Sequence, residues 1–180
     1  MSLHEASAED YAGLAGGIAN ELGRLDGLVH NAAELGSLTP IDHYTADLWQ
    51  RTLQVNLTAP FLLTQACLPL LRQAPDAAIL FSSTDEHEKN AAYWGAYGVS
   101  KQGLDAFMHI LADELENSSS IRVNAINPGA LRTHLRSKAY PGENPNTLPE
   151  VSTVVPAYLY LMGNDSHAIH GQLLNVQEVS

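Results

Sequence analysis

Tyr97 and Lys101 stand four residues apart in the stretch Tyr93-Trp94-Gly95-Ala96-Tyr97-Gly98-Val99-Ser100-Lys101. On a helix that spacing stacks the two side chains on one face. A helix is the expected form, because Leu104, Phe107, Met108, Leu111 and Leu115 recur at steps of three and four and mark one buried stripe. A phenol stacked on an ammonium can do acid–base chemistry. The phenol ordinarily titrates near ~10, and an adjacent cation favours its ionised form. Bringing Tyr97 near neutrality takes about 4 kcal/mol of field, much of which one close Lys101 in a partly dry site could supply. Such a pair also arises by coincidence, so its neighbours decide.

Those neighbours are set by the elements around them. Ser7 followed by Asp10 reads as a capping box, and Tyr11, Leu14, Ala15, Ile18 and Leu22 keep helical spacing up to Gly23, a natural helix end. A short apolar strand over 25–30 runs into Asn31-Ala32-Ala33. One long helix is expected from about Asp47 to Arg72, apolar on more than one face, which suggests contact with a second subunit. A second buried strand over 77–81 leads into Ser82-Ser83-Thr84-Asp85-Glu86, and a third over 121–126 closes at Asn127-Pro128-Gly129. Residues 130–149, with Pro141, Gly142, Pro145 and Pro149, read as an irregular surface excursion. A helix over about 150–162 is interrupted or started by Pro156, and a last strand spans 171–177. Strands alternating with helices predict an α/β fold with a parallel sheet, whose ligands bind beyond the carboxyl ends of the strands. Asn31, Ser83 and Pro128-Gly129 all fall at such ends, and Tyr97 starts its helix shortly after one. That convergence lifts the pair above coincidence.

Composition narrows the partners. The 180 residues suffice for one domain, and a net charge of -11 argues against nucleic acid or an anionic membrane surface. No apolar run is long enough to span a membrane, and the N-terminus has no basic region followed by an apolar core, so no membrane association and no export are expected. Cys67 is the only cysteine, which excludes an internal disulfide and points to a reducing, cytoplasmic home. His167 and His170 are three apart with no third ligand in view, so no metal site is expected.

Taken together, Asn31-Ala32-Ala33, Asn56 within Val55-Asn56-Leu57, the Ser82-Ser83 strand end, Tyr97-x-x-x-Lys101 and Pro128-Gly129-Ala130-Leu131-Arg132-Thr133 resemble the short-chain dehydrogenase/reductase family over nearly the whole chain. Trp94-Gly95-Ala96-Tyr97, Ile126-Asn127-Pro128-Gly129 and the stretch 158–163 are similar to its bacterial YciK-type branch. The resemblance implies the C-terminal part of a doubly wound (Rossmann-like) parallel sheet, about four strands with flanking helices. It implies an NAD(P)-dependent oxidoreductase that interconverts a small-molecule alcohol and a ketone or aldehyde. Tyr97 would be the general acid/base, Lys101 would tune it and hold the nicotinamide ribose, a serine would orient the substrate carbonyl, and Asn56 would hold a relay water. Asn31, Ala32, Ala33, Pro128, Gly129 and Thr133 would border the cofactor with Tyr97 and Lys101.

Two departures qualify this. The family's serine stands about thirteen residues before the tyrosine, whereas Ser83 is fourteen and Thr84 thirteen before Tyr97, so either hydroxyl could serve, with Ser83 the first choice. Asp85 and Glu86 replace the usual small residues and could oppose ionisation of Tyr97. The family also opens with a strand and a Gly-rich turn that takes the pyrophosphate, whereas Gly13, Gly16 and Gly17 lie inside a helical pattern. The expectation is therefore a single truncated domain over 1–180 that binds NAD or NADP weakly. The alternative is a catalytically impaired remnant acting as an interaction module. Either form would be a homo-oligomer, dimer or tetramer, paired through an open sheet edge or the long helices.

Overall fold

The computed structural model describes residues 2–176, with backbone alone at 86 and 87. In chain order the elements are α1 (Ala8–Leu22), β1 (Gly27–His30), α2 (Ala46–Leu53), a wide turn of π-helix (Gln54–Thr58), α3 (Ala59–Leu71), β2 (Ala77–Ser82), α4 (Glu86–Asn90), α5 (Gly95–Glu116), β3 (Ile121–Asn127), α6 (His134–Ala139), α7 (Val155–Met162) and β4 (Leu173–Asn175). The four strands form one parallel sheet in the order β1-β2-β3-β4. This is the expected α/β, Rossmann-like arrangement.

Side chains alternate across the strands, and each face meets its own helices. Ile79, Phe81, Val123 and Ala125 pack with Cys67, Leu70 and Leu71 of α3 and with Leu104, Met108, Leu111 and Leu115 of α5. On the other face Leu80 and Ile126 pack with Ala157 and Leu161 of α7. Because both faces are covered, β2 is buried throughout, as its unbroken apolar run requires. α1 packs on α3 through Tyr11 and Ala59. The capping box forms: Ser7 N–H donates to Asp10 Oδ2 at 2.8 Å and Asp10 N–H to Ser7 Oγ at 3.3 Å. Gly23, at φ 78, ends the helix.

Three expectations change. The helix over 47–72 is two helices joined by the wide turn, with Val55 and Asn56 buried inside it. Its apolar surplus is only partly buried, since Phe61 of α3 stays exposed, as do Val99 and Ile110 of α5. The excursion over 130–149 contains α6, started by the Thr133 hydroxyl, which accepts from Arg136 N–H at 3.1 Å. The last strand is shorter than expected, and Gln177 lies outside the described residues. Pro156 sits at the first turn of α7, where its missing N–H costs nothing.

Arg122 fastens β3 to the chain after α7. Buried on its strand, it pairs with Asp76 at 3.3 Å and donates to the Leu161 carbonyl at 2.8 Å, the Gly163 carbonyl at 3.1 Å and Ser166 Oγ at 2.6 Å.

Candidate active site

The start of α5 is built tightly. Tyr93 takes a left-handed conformation, φ 75, before the helix begins. Gly95 follows at φ 38, where a Cβ would lie 2.7 Å from the Tyr44 ring. Gly98 then lets the α4 backbone close in, since a Cβ there would meet the Lys89 carbonyl oxygen at 2.5 Å. These contacts hold Tyr97 and Lys101 beneath the ends of β2 and β3.

Tyr97 is buried among Leu35, Trp94, Leu135, Ala139 and Tyr140. Lys101 is also buried; its Nζ lies 5.8 Å from the centre of the Tyr97 ring and donates to the Ser82 carbonyl at 2.7 Å. The two therefore stack as the spacing predicts. The two hydroxyls after β2 part company. Ser83 Oγ donates to Asp105 Oδ1 at 2.7 Å, and Asp105 Oδ2 lies 2.6 Å from Lys89 Nζ. Thr84 Oγ1 instead donates to Glu88 and stands near enough to the Tyr97 phenol to act on its proton affinity. Both hydroxyls reach the cavity: Ser83, the first choice by sequence, is turned to Asp105, and Thr84, the second, stands beside the phenol.

Asn56 sits in the wide turn with its side chain fully engaged. Its Oδ1 accepts from Glu34 N–H at 2.7 Å, and its Nδ2 donates to the Glu34 carbonyl at 2.9 Å and to Ser100 Oγ at 3.0 Å. It ties α5 to the segment after β1.

The electrostatics run opposite to the sequence expectation for Tyr97. Burial, reinforced by the Glu88 carboxylate, pushes its phenol up to about 12, and the Thr84 hydroxyl opposes this only in part. Burial pulls Lys101 down to about 8, with Asp105 acting to restore it. The expected lowering of Tyr97 fails because the site is dry and the ammonium is committed to the Ser82 carbonyl. Of the two acids that follow Thr84 in sequence, Glu86 has its side chain outside the described residues; the carboxylate that opposes ionisation is Glu88.

A cavity of about 570 Å³ opens over the strand ends and reaches Thr84, Tyr97 and Lys101. Asn31, Ala33, Pro128, Gly129 and Thr133 also line it, as does Ser83, whereas Ala32 does not. Gly129 takes φ 74 and faces open space.

The profile described as enoyl-(acyl carrier protein) reductase matches residues 5–178. The oxidoreductase YciK of Escherichia coli K12 is 40% identical over 177 residues, 98% of this chain and 69% of that protein. The chain belongs to the short-chain dehydrogenase/reductase family. Among solved members, a short-chain dehydrogenase from Pseudomonas syringae superposes with a TM-score of 0.95 at 47% identity, covering 98% of this chain and 72% of that one. Another, from Escherichia coli CFT073 and solved with NADPH, gives 0.93 at 40% identity, covering 98% and 73%.

Several residues of this short-chain dehydrogenase/reductase escaped sequence reasoning. Ser82 Oγ donates to Asn31 Oδ1 at 2.9 Å and lies 2.9 Å from the Tyr158 hydroxyl, joining β1, β2 and α7 at the cavity. Arg136 of α6 reaches Glu88 of α4 at 2.8 Å and grips Glu143 through two hydrogen bonds, at 2.7 and 2.9 Å. The Thr133 cap was the one local signal for α6. Nothing local announced a pairing across 48 residues. No helix among the described residues is long and apolar enough to cross a membrane, and no metal-ligating cluster occurs among them.

Proposed function

We propose that this chain interconverts a small alcohol and a ketone or aldehyde with NAD or NADP, and that its groups favour the reducing direction. The observation that carries the reading is the meeting of the Tyr97 phenol, the Thr84 hydroxyl and the buried Lys101 in one strand-end cavity. The site suits a nicotinamide ribose: the cavity is of ligand size, Gly129 leaves open space beside the strand ends, and Lys101 has donors beyond the one given to Ser82. Asn31, Ala33, Pro128, Gly129 and Thr133 would border it. The NADPH-bound relative supports the same cofactor class here. The cofactor, when bound, supplies the hydride.

Everything else falls to the protein. Thr84 would turn its one hydroxyl proton from Glu88 to the substrate carbonyl and orient it, and Tyr97 delivers its proton to the oxygen as negative charge develops there. A phenol held at about 12 keeps that proton at neutral pH, which suits a donor. Lys101 carries its charge below about 8 and loses it above. Reduction therefore slows as pH rises through about 8, well before Tyr97 ionises. Asn56 acts by holding the Glu34 segment against α5, and a relay water would have to use its backbone rather than its occupied side chain. The exposed Phe61, Val99 and Ile110 suit a homo-oligomer through α3 and α5, which light scattering reads directly.

The test is NADH and NADPH oxidation by the purified chain over a carbonyl panel, comparing Tyr97→Phe, Thr84→Val and Ser83→Ala. Loss of the proton donor costs about 100-fold or more in kcat. Thr84→Val lowers kcat more than Ser83→Ala. Unchanged turnover in Tyr97→Phe, or no turnover with either cofactor, refutes the reading.

A further inference from the structure

The cavity's chemistry also says what kind of carbonyl compound it takes. Leu135 and Ala139 of α6 stand beside Tyr97, and Val151, Val154 and Val155 supply another apolar wall. Among the described residues two cations line the cavity, Lys101 and Arg136. Lys101 is buried against the Ser82 carbonyl. Arg136 is occupied: Nε and Nη2 hold the two oxygens of Glu143, Nη1 holds Glu88 Oε1, and the guanidinium stacks 3.7 Å over the Tyr140 ring. Glu88 is occupied in turn by Thr84 and by the Tyr140 hydroxyl at 3.2 Å. Two carboxylates thus answer one guanidinium, so Arg136 offers an anionic substrate no open contact, and the donors Lys101 has left are those a nicotinamide ribose would take.

We propose that the substrate is an uncharged, apolar carbonyl compound or the matching alcohol, and that Glu88 and Glu143 enforce this by occupying Arg136. The inference rests on the oxidoreductase reading for the word substrate, but its physical content is binding. An anion would have to displace the two-point Glu143 contact or enter unpaired against Glu88, and both are unfavourable in an apolar cavity. A cation would be desolvated against Leu135, Ala139 and the valines without a free carboxylate to meet it. Fixed repulsion of the wrong ligand is a common source of selectivity.

The experiment titrates the purified chain, with and without NADP+, against three acetophenones of similar size by calorimetry: 4-isopropylacetophenone, 4-acetylbenzoate and (4-acetylphenyl)trimethylammonium. The neutral probe is expected to bind at least about tenfold more tightly than either charged one. Glu143→Gln frees one side of Arg136, and the neutral-to-anion ratio should then narrow by about fivefold or more. Equal or tighter binding of the anion by the unmodified chain overturns the proposal. So does an unchanged ratio in Glu143→Gln, or failure of every probe to bind under both conditions. Selective binding of the neutral probe without turnover would leave this inference standing while the oxidoreductase reading fails.

Discussion

His30 closes β1 next to the cavity, and its burial sets a measurable acid limit on the fold. Its ring stacks on Phe81 of β2 with centroids 4.7 Å apart, and Nε2 lies 2.8 Å from Thr64 Oγ1 of α3. Burial depresses its pKa from 6.5 to about 4, so the folded chain holds the ring neutral where the unfolded chain would protonate it. Below about pH 6.5 the unfolded state binds the extra proton, and stability falls with pH until the folded ring titrates near 4. The full loss is about 3 kcal/mol, of which about 2 kcal/mol is gone by pH ~5. Other groups titrate in the same range, so the informative quantity is a difference. His30→Gln removes the titrating ring while still offering Thr64 an amide. Urea unfolding of both proteins near pH 8 and near pH 5 should show the wild type's advantage shrinking by about 2 kcal/mol. A gap that stays constant within about 0.5 kcal/mol would mean the ring is not held neutral, and the argument fails.

Two further substitutions probe how the site is supported. Gly98→Ala gains about 1 kcal/mol of helix propensity but drives a Cβ into the Lys89 carbonyl oxygen, 2.5 Å away, so a net loss of about 1 kcal/mol is expected by urea unfolding; a net gain would show that α4 is not packed closely on α5. Arg122→Met leaves Asp76 and the carbonyls of Leu161 and Gly163 without their buried partner, and about 3 kcal/mol should be lost. A loss under about 1 kcal/mol would show that this network contributes little.

Much of the frame could be read from residue order. The Ser7–Asp10 box, the Gly23 stop and the stripe from Leu104 to Leu115 are local signals, and all three features form. So do the four strands. The division of the helix over 47–72 could not be read, because a wide turn leaves Val55, Leu57 and Phe61 in an apolar run that looks continuous. Ser83 and Thr84 could not be ranked by alternation, because β2 ends at Ser82 and the chain beyond it has no period to count. For Tyr97, spacing located the cation but not the dryness of the site or the carboxylate of Glu88, and these two decide its proton affinity. α6 is six residues long, too short for a periodic stripe, and its partner Glu88 is distant in sequence.

The wide turn also sets the rotational phase of α3 relative to the residues before it. Asn56 and Thr64 are eight positions apart, which on an uninterrupted helix would point them about 80° away from each other. Absorbing one extra residue reduces that to about 20°. The same face of the wide turn and α3 can then reach Glu34 and Ser100 with one side chain and His30 with the other. One surplus residue thus lets a single helical face clamp both the end of β1 and the loop that leaves it.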